Sequence, residues 1–296
     1  MKTLVIINPL SGKLNIGYRP RGLEKFLQDS GFDHQIIFTS AAREAESLAR
    51  KAVEEGVQSI LVAGGDGTIN EVINGMAGST ARLGIIPTGC RNVLARELGI
   101  PTDLGQALEL IASNRVRRID LGRANQRYFA VMIGIGLDAD AVRDVETNLL
   151  NLKRFLRGYA YHLAGVRSLF KFHTSPFPVK IDREQTLFGC AAVVANGHFY
   201  GGSHQMVSSA QIDDGYLDLC LFEKGGRLDY LRYFLGVLTR RHQDFSDVQV
   251  RRLTELKIER AGLPIHVDGD FAGFTPVEVR IHPRALDILA PSPGGE

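Results

Sequence analysis

Three glycines, an acid and a hydroxyl cluster after an apolar run, in Leu61-Val62-Ala63-Gly64-Gly65-Asp66-Gly67-Thr68-Ile69-Asn70-Glu71-Val72. Glycines let a chain turn sharply and lie close to a ligand. A helix predicted to start at Thr68 would present free N–H groups and a partial positive charge, which suit phosphate. The plain alternative is a tight strand-to-helix turn capped by Thr68. The acid between the glycines argues against it, because a bare turn needs no negative charge. No G-x-x-x-x-G-K-[ST] is present, and Asn70 stands where G-x-G-x-x-G needs its last glycine. The expectation is a nucleotide-phosphate site holding Gly64, Gly65, Asp66, Gly67 and Thr68, with Glu71 further along the helix.

Two other segments follow predicted strands. Asn8-Pro9-Leu10-Ser11-Gly12-Lys13 is either a surface turn or a second phosphate cradle, with Lys13 as a cation beside the nucleotide. Gly89 and Asn92 come after Ile86-Pro87 and are either a helix start or a third phosphate-facing loop. Ligands of parallel sheets gather beyond the carboxyl ends of strands, so all three segments fall on one edge.

Acids mark two further sites. Asp213, Asp214 and Asp218 surround Gly215, and Asp268 and Asp270 flank Gly269. Asp-Gly is a hairpin signal and accounts for a turn in each. Adjacent carboxylates repel unless a cation or solvent relieves them, and hard oxygen ligands suit Mg²⁺. Asp268 and Asp270 stand at the end of the predicted strand Ile265–Val267.

In combination these segments resemble the kinase group that holds diacylglycerol, sphingosine and NAD kinases. Gly64-Gly65-Asp66-Gly67-Thr68 resembles the group's shared signature. Asn8-Pro9-Leu10-Ser11-Gly12, Pro87-Thr88-Gly89-Cys90-Arg91-Asn92-Val93-Leu94-Ala95-Arg96, Asp213-Asp214-Gly215-Tyr216-Leu217-Asp218 and Val267-Asp268-Gly269-Asp270 are similar to elements of its bacterial-type lipid kinases, in the same order. The resemblance runs from Ile6 to about Pro291. It implies an ATP-dependent kinase acting on a lipid hydroxyl. Asp270 stands at the general base, where the family carries glutamate. Asp214, with Gln211 and Tyr216, stands at the Mg²⁺ position. Cys90 and Arg91 replace a hydroxyl and a small residue, and Val93 replaces an acid found in some members. A metal network built on that acid, shared with Asp66 and Asp120, is not expected here. An NAD kinase and a catalytically weakened lipid or nucleotide sensor are the alternatives.

The elements that must position these residues change character along the chain. Strands are predicted at Leu4–Ile7, Gln35–Phe38, Ser59–Ala63 and Leu83–Ile86. Helices are predicted from Leu23 to near Gly31 and at Ala41–Glu55, Ile69–Met76, Asn92–Leu98 and Leu104–Ala112. This alternation implies an α/β domain with a parallel sheet and helices on both faces, over residues 1–120. Residues 121–285 read as a β-rich antiparallel domain, with strands at Arg117–Leu121, Tyr128–Ile133, Val179–Ile181, Gly189–Ala195, Leu217–Phe222, Val248–Arg251, Leu256–Ile258, Ile265–Val267 and Val277–Ile281. Helical stretches at Asn148–Phe170 and Leu228–Arg240 interrupt it. The resemblance implies that residues 286–296 return to the first domain.

Composition narrows the partners. The 296 residues are 44% hydrophobic with a net charge of +2, which fits a globular protein and not a nucleic-acid binder. Three scattered cysteines show no metal spacing and suit a reducing cytoplasm. No apolar run reaches the ~18 residues of a spanning helix, so membrane contact would be peripheral. Asn148–Phe170 mixes apolar and basic residues and is either a core helix or a lipid-touching one. A homodimer is compatible with all of this.

Overall fold

The computed structural model describes residues 2–12, 23, 25, 28, 33–147, 174–182, 185–202 and 204–292. Lys13 and the Asn148–Phe170 stretch lie outside the described residues. The chain divides into two compact units, Met1–Asp120 with Arg284–Glu296, and Leu121–Pro283.

The first unit is an α/β domain. Strands β1 (Lys2–Ile7), β2 (Asp33–Phe38), β3 (Ser59–Gly64) and β4 (Arg82–Pro87) form a parallel sheet in the order β2-β1-β3-β4. β3 is buried throughout, as a parallel strand covered on both faces must be. The strand Val277–Leu289 extends this sheet, pairing Asp287 with Arg82 and Ile288 with Leu83 in parallel. Helices α1 (Glu44–Glu54), α2 (Asp66–Met76), α3 (Val93–Glu97) and α4 (Leu104–Ala112) connect the strands. α2 starts at Asp66, two residues before the predicted start. Gly65 is extended and acts as the N-cap, and the Ile69 N–H donates to its carbonyl at 3.0 Å.

The second unit is antiparallel and β-rich. Among the described residues the remaining strands are β5 (Val116–Ala124), β6 (Arg127–Phe129), β7 (Met132–Ile135), β8 (Phe177–Ile181), β9 (Gln185–Gly189), β10 (Ala191–Ala195), β11 (Phe199–Tyr200), β12 (His204–Gln205), β13 (Leu217–Phe222), β14 (Val248–Leu253), β15 (Glu255–Ile258), β16 (Pro264–Val267), β17 (Asp270–Phe274) and β18 (Val277–Leu289), of which Val116–Asp120 of β5 and Arg284–Leu289 of β18 belong to the first unit. One layer runs β14-β13-β10-β7-β16-β17. The other pairs the start of β18 with β15, then β8 and β9. Leu217, Leu219 and Leu221 of the first layer and Val179, Ile181, Leu256 and Ile258 of the second share one core. Their spacing of two puts them on one face of each strand.

Two predicted strands are each split in two. Gly189–Ala195 breaks at Cys190, where β9 ends in one layer and β10 begins in the other. Tyr128–Ile133 breaks because the N–H groups of Ala130, Val131 and Met132 turn to the Asp268 carboxylate. Helix α5 (Leu137–Thr147) and helix α6 (Arg227–Leu238) complete the described elements, with α5 packed against β16 and β17.

α1 and α2 lie close enough that Gly75 has no room for a side chain. A Cβ there would sit 2.3 Å from the Glu46 carbonyl oxygen and 2.8 Å from the Ala49 Cβ. Gly75→Ala should therefore lower the thermal midpoint and cost about 1–3 kcal/mol, the range for overpacking. A denaturant titration reads this directly. An unchanged midpoint would show that the helices part without cost.

Candidate active site

The ends of β1, β3 and β4 lie side by side, with Ile7 opposite Ala63 and Gly64 opposite Pro87. The three loops that follow therefore begin at one edge. The Asn8 N–H donates to Ala63 O at 2.9 Å, and the Thr88 N–H donates to Gly64 O at 3.1 Å. Side chains join them further. Asn8 Nδ2 donates to Thr68 Oγ1 at 2.8 Å, and Thr88 Oγ1 to Ser11 Oγ at 3.0 Å.

Glycines make this convergence possible. A Cβ on Gly12 would lie 2.5 Å from Thr88 O, and one on Gly89 would lie 2.6 Å from the Gly65 Cα. Those distances are shorter than real Cβ contacts, so any side chain would push the loops apart. The result is an edge where three loops lie backbone to backbone beside the start of α2. The first N–H groups of a helix have no intrahelical partner and carry the positive end of its dipole. Asn8, Ser11, Gly12, Gly64, Gly65, Gly67, Thr68, Gly89 and Asn92 are all brought together there.

Asp66 has a structural task as well. Its two carboxylate oxygens accept the Val93 N–H at 2.6 Å and the Asn92 N–H at 3.0 Å. The acid thus holds the start of α3, where Asn92 sits in the left-handed region at φ 48°. Asp66 is the first residue of α2, not a residue of a free loop. Glu71 points elsewhere, accepting the Arg43 and Ala45 N–H groups at 3.0 and 3.3 Å beneath the start of α1. Asp120 Oδ1 accepts the Arg284 N–H at 2.7 Å.

In the second unit, the acids around Gly215 are relieved by an arginine. Arg252 forms an ion pair with Asp214 Oδ2 and lies 4.8 Å over the Tyr216 ring. It also faces Asp218 across β13 and β14. Burial raises the Asp218 carboxyl above the usual range, while Arg252 pulls it back down. Asp214 Oδ1 accepts the Tyr216 N–H at 3.1 Å, and Gln211 is exposed. The Asp214 carboxylate, expected with Tyr216 and Gln211 at the Mg²⁺ position, is answered in this structure by the Arg252 guanidinium. Among the described residues no group of three or more His, Cys, Asp and Glu could hold a metal.

Asp268-Gly269 forms a two-residue hairpin turn with φ 48° and 88°, joining Val267 to Asp270. Both residues in the left-handed region are what this kind of turn requires, and Asp-Gly meets that need. Asp268 anchors the turn by accepting three backbone N–H groups, from Ala130, Val131 and Met132, at 2.8–3.0 Å. Asp270 follows, half-buried, as the first residue of β17.

Behind this turn stands a pair that the motifs did not indicate. His266 is 2% exposed, and its Nε2 lies 2.5 Å from Asp138 Oδ2. The Gly269 N–H donates to His266 Nδ1 at 3.3 Å, and the Tyr200 hydroxyl donates to Asp138 Oδ1. Gly134 leaves space for the pair, since a Cβ there would lie 2.3 Å from His266 Nε2. The sequence does hold a signal. Gly134-Ile135-Gly136-Leu137-Asp138 repeats the pattern of a strand, a glycine turn and a helix with an early acid.

Burial works against a charge on His266. The charge and hydrogen bond of Asp138, with Asp268 and Asp270 behind it, outweigh that and raise the pKa above the ordinary 6.5. A raised folded-state pKa stabilises the fold fully below the unfolded pKa, and the gain is lost as pH rises through the folded value. His266→Gln should therefore lower the thermal midpoint more at about pH 6 than at about pH 9. Melting curves across that range check it, and a gap that widens with pH would reverse the assignment.

Comparison with known proteins accords with this geometry. Residues 2–124 match the diacylglycerol kinase catalytic domain. Residues 131–290 match the YegS C-terminal NAD kinase beta sandwich-like domain. A diacylglycerol kinase of Mycobacterium tuberculosis (strain ATCC 25618 / H37Rv) is 29% identical over 99% of this chain and 96% of its own length. One from Bacillus subtilis (strain 168) is 29% identical over 99% and 97%. The crystal structure of a diacylglycerol kinase from Bacillus anthracis str. Sterne superposes with a TM-score of 0.74 at 23% identity, covering 98% of this chain and 97% of that one. With both domains matched in order along nearly its whole length, this chain belongs to the bacterial-type lipid kinase family built on the diacylglycerol kinase catalytic domain.

Proposed function

We propose that the protein transfers the γ-phosphate of ATP to the hydroxyl of a lipid, of diacylglycerol or sphingoid type. The observation that carries the reading is the glycine-lined edge where Gly12, Gly65 and Gly89 bring three loops to the start of α2. Phosphoryl transfer asks a protein mainly for positioning, charge neutralisation and a base. In this reading Asn8, Ser11, Gly12, Lys13, Gly64, Gly65, Gly67, Thr68, Gly89 and Asn92 take the nucleotide, and Asp66 keeps their loops in register. Magnesium would come with ATP as part of the substrate and would neutralise the phosphates.

Asp270 takes the proton of the acceptor hydroxyl as its oxygen bonds to the γ-phosphorus. The bond from that phosphorus to the bridging oxygen breaks, and ADP leaves. The anchored Asp268-Gly269 turn holds this carboxylate in place, and aspartate in place of glutamate shortens its reach by one methylene. The named relatives support a diacylglycerol-like acceptor. The lipid is expected to be met at a membrane surface, with the enzyme cytoplasmic and peripheral. Among the described residues no helix is long and apolar enough to cross a membrane.

The experiment is transfer of label from [γ-³²P]ATP into a total lipid extract, followed by identification of the labelled species. A labelled lipid supports the reading. Label passing instead to NAD in a parallel reaction that supplies it, or ATP binding without transfer to any lipid, overturns it.

Two substitutions test the roles. Asp270→Asn should lower kcat by roughly 10²–10⁴-fold with little change in ATP binding, while Asp270→Glu should retain measurable turnover. A rate above about a tenth of wild type in Asp270→Asn would place the base elsewhere. Asp66→Ala leaves two N–H groups without their charged acceptor, at a cost of about 1.5–3 kcal/mol for each such bond. It should raise KM for ATP and lower the thermal midpoint together. Unchanged ATP kinetics would remove Asp66 from the site.

A further inference from the structure

Helix α6 is apolar on two faces. Tyr230, Tyr233 and Val237 are buried, and the Tyr233 ring lies 4.8 Å from that of Phe222. The other face carries Leu228, Leu231, Leu235 and Leu238, which are 82%, 43%, 51% and 39% exposed. Steps of three and four residues place these leucines in one stripe along the helix. A helix apolar all round belongs in a core or against something else. The stripe also borders a depression of about 320 Å³ whose lining includes Gly236, Thr239 and Phe245.

The charges around the stripe indicate what covers it. Arg232 is committed to Asp247, by an ion pair that the Lys224 ammonium also joins. Arg227 at one end and Arg240 and Arg241 at the other are exposed. Among the described residues none of these three takes part in an ion pair with an acid. The stripe is thus bracketed by cations at both ends.

We infer that this face of α6 rests on an anionic lipid surface. The leucines enter the boundary of the acyl chains, and Arg227, Arg240 and Arg241 meet the headgroup phosphates. That is the arrangement of an interfacial amphipathic helix. A second copy of the chain fits worse. Pairing two such helices about a twofold axis sets arginines against arginines in either direction. An anionic bilayer complements both ends at once. The inference extends the proposed function by naming the docking surface, and it stands on exposure and charge, not on chemistry at Asp270.

Flotation of the full chain with vesicles tests it without turnover. The chain should float with phosphatidylcholine vesicles containing about one-third phosphatidylglycerol, weakly with phosphatidylcholine alone, and less as salt rises. Leu231→Ser with Leu235→Ser should weaken binding by more than about tenfold, and Arg240→Ala with Arg241→Ala by roughly tenfold. Both double variants should keep the wild-type melting temperature and the rate on a detergent-dispersed acceptor. Wild-type flotation by both would overturn the inference. So would a dimer in sedimentation that the leucine changes dissociate while flotation stays intact. A loss of lipid phosphorylation with flotation retained would count against the proposed reaction and leave the surface standing.

Discussion

Backbone touching backbone is the constraint on which the first unit depends. Gly65 and Gly89 approach so closely that a single added carbon would lie 2.6 Å from a main-chain atom. Everything else at that edge follows from it. The Asn8 and Thr88 N–H groups carry the strand pairing one residue further, into the loops that meet there. Asp66 can reach the Asn92 and Val93 N–H groups only because the two loops are in contact. The edge of a parallel sheet is where ligands bind in such folds, and here it is made of peptide groups. Free peptide N–H groups at a helix start favour anions.

The acids divide by what answers them. Asp66 and Asp268 bond to backbone N–H groups, so their charge is spent on fixing loops. Asp214 is answered by Arg252. Asp138 is shared between a buried histidine and a tyrosine hydroxyl. Carboxylates bound by neutral amides keep their negative charge while losing freedom of movement, which suits an anchor. The Asp268 anchor lies two residues from Asp270, so the turn that leads into β17 is fixed by three hydrogen bonds.

Much of this was legible in the sequence, and the failures have physical causes. The parallel strands were readable because burial on both faces gives unbroken apolar runs, as in Ser59–Gly64. The loops that converge at the sheet edge were readable from glycines at the ends of those runs. Strand breaks at Cys190 and Val131 were not, because a tertiary partner decides them. Three N–H groups leave the ladder for a carboxylate more than a hundred residues away. Arg252 was invisible for the same reason. The sequence shows an acid cluster, and only strand pairing brings the Arg252 guanidinium to it. Helix α5 escaped because its buried positions, Ala139, Val142 and Val145, are small and widely interrupted by charge.

Two segments of this chain share one local grammar, and comparing them limits what such grammar can say. Gly64-Gly65-Asp66 and Gly134-Ile135-Gly136-Leu137-Asp138 both end a buried strand, turn on glycine and open a helix with an acid. In the first, the glycines allow loops to converge, and the acid ties them by their N–H groups. In the second, Gly134 makes room for a histidine ring, and the acid holds that ring behind the hairpin turn of Asp268-Gly269. The acid between the glycines of the first segment orders the loops that meet at that edge. An acid near a glycine turn therefore marks a place where the backbone is held under control. Whether a phosphate, a metal or a buried ring lies beyond it depends on which partner the fold delivers to that carboxylate.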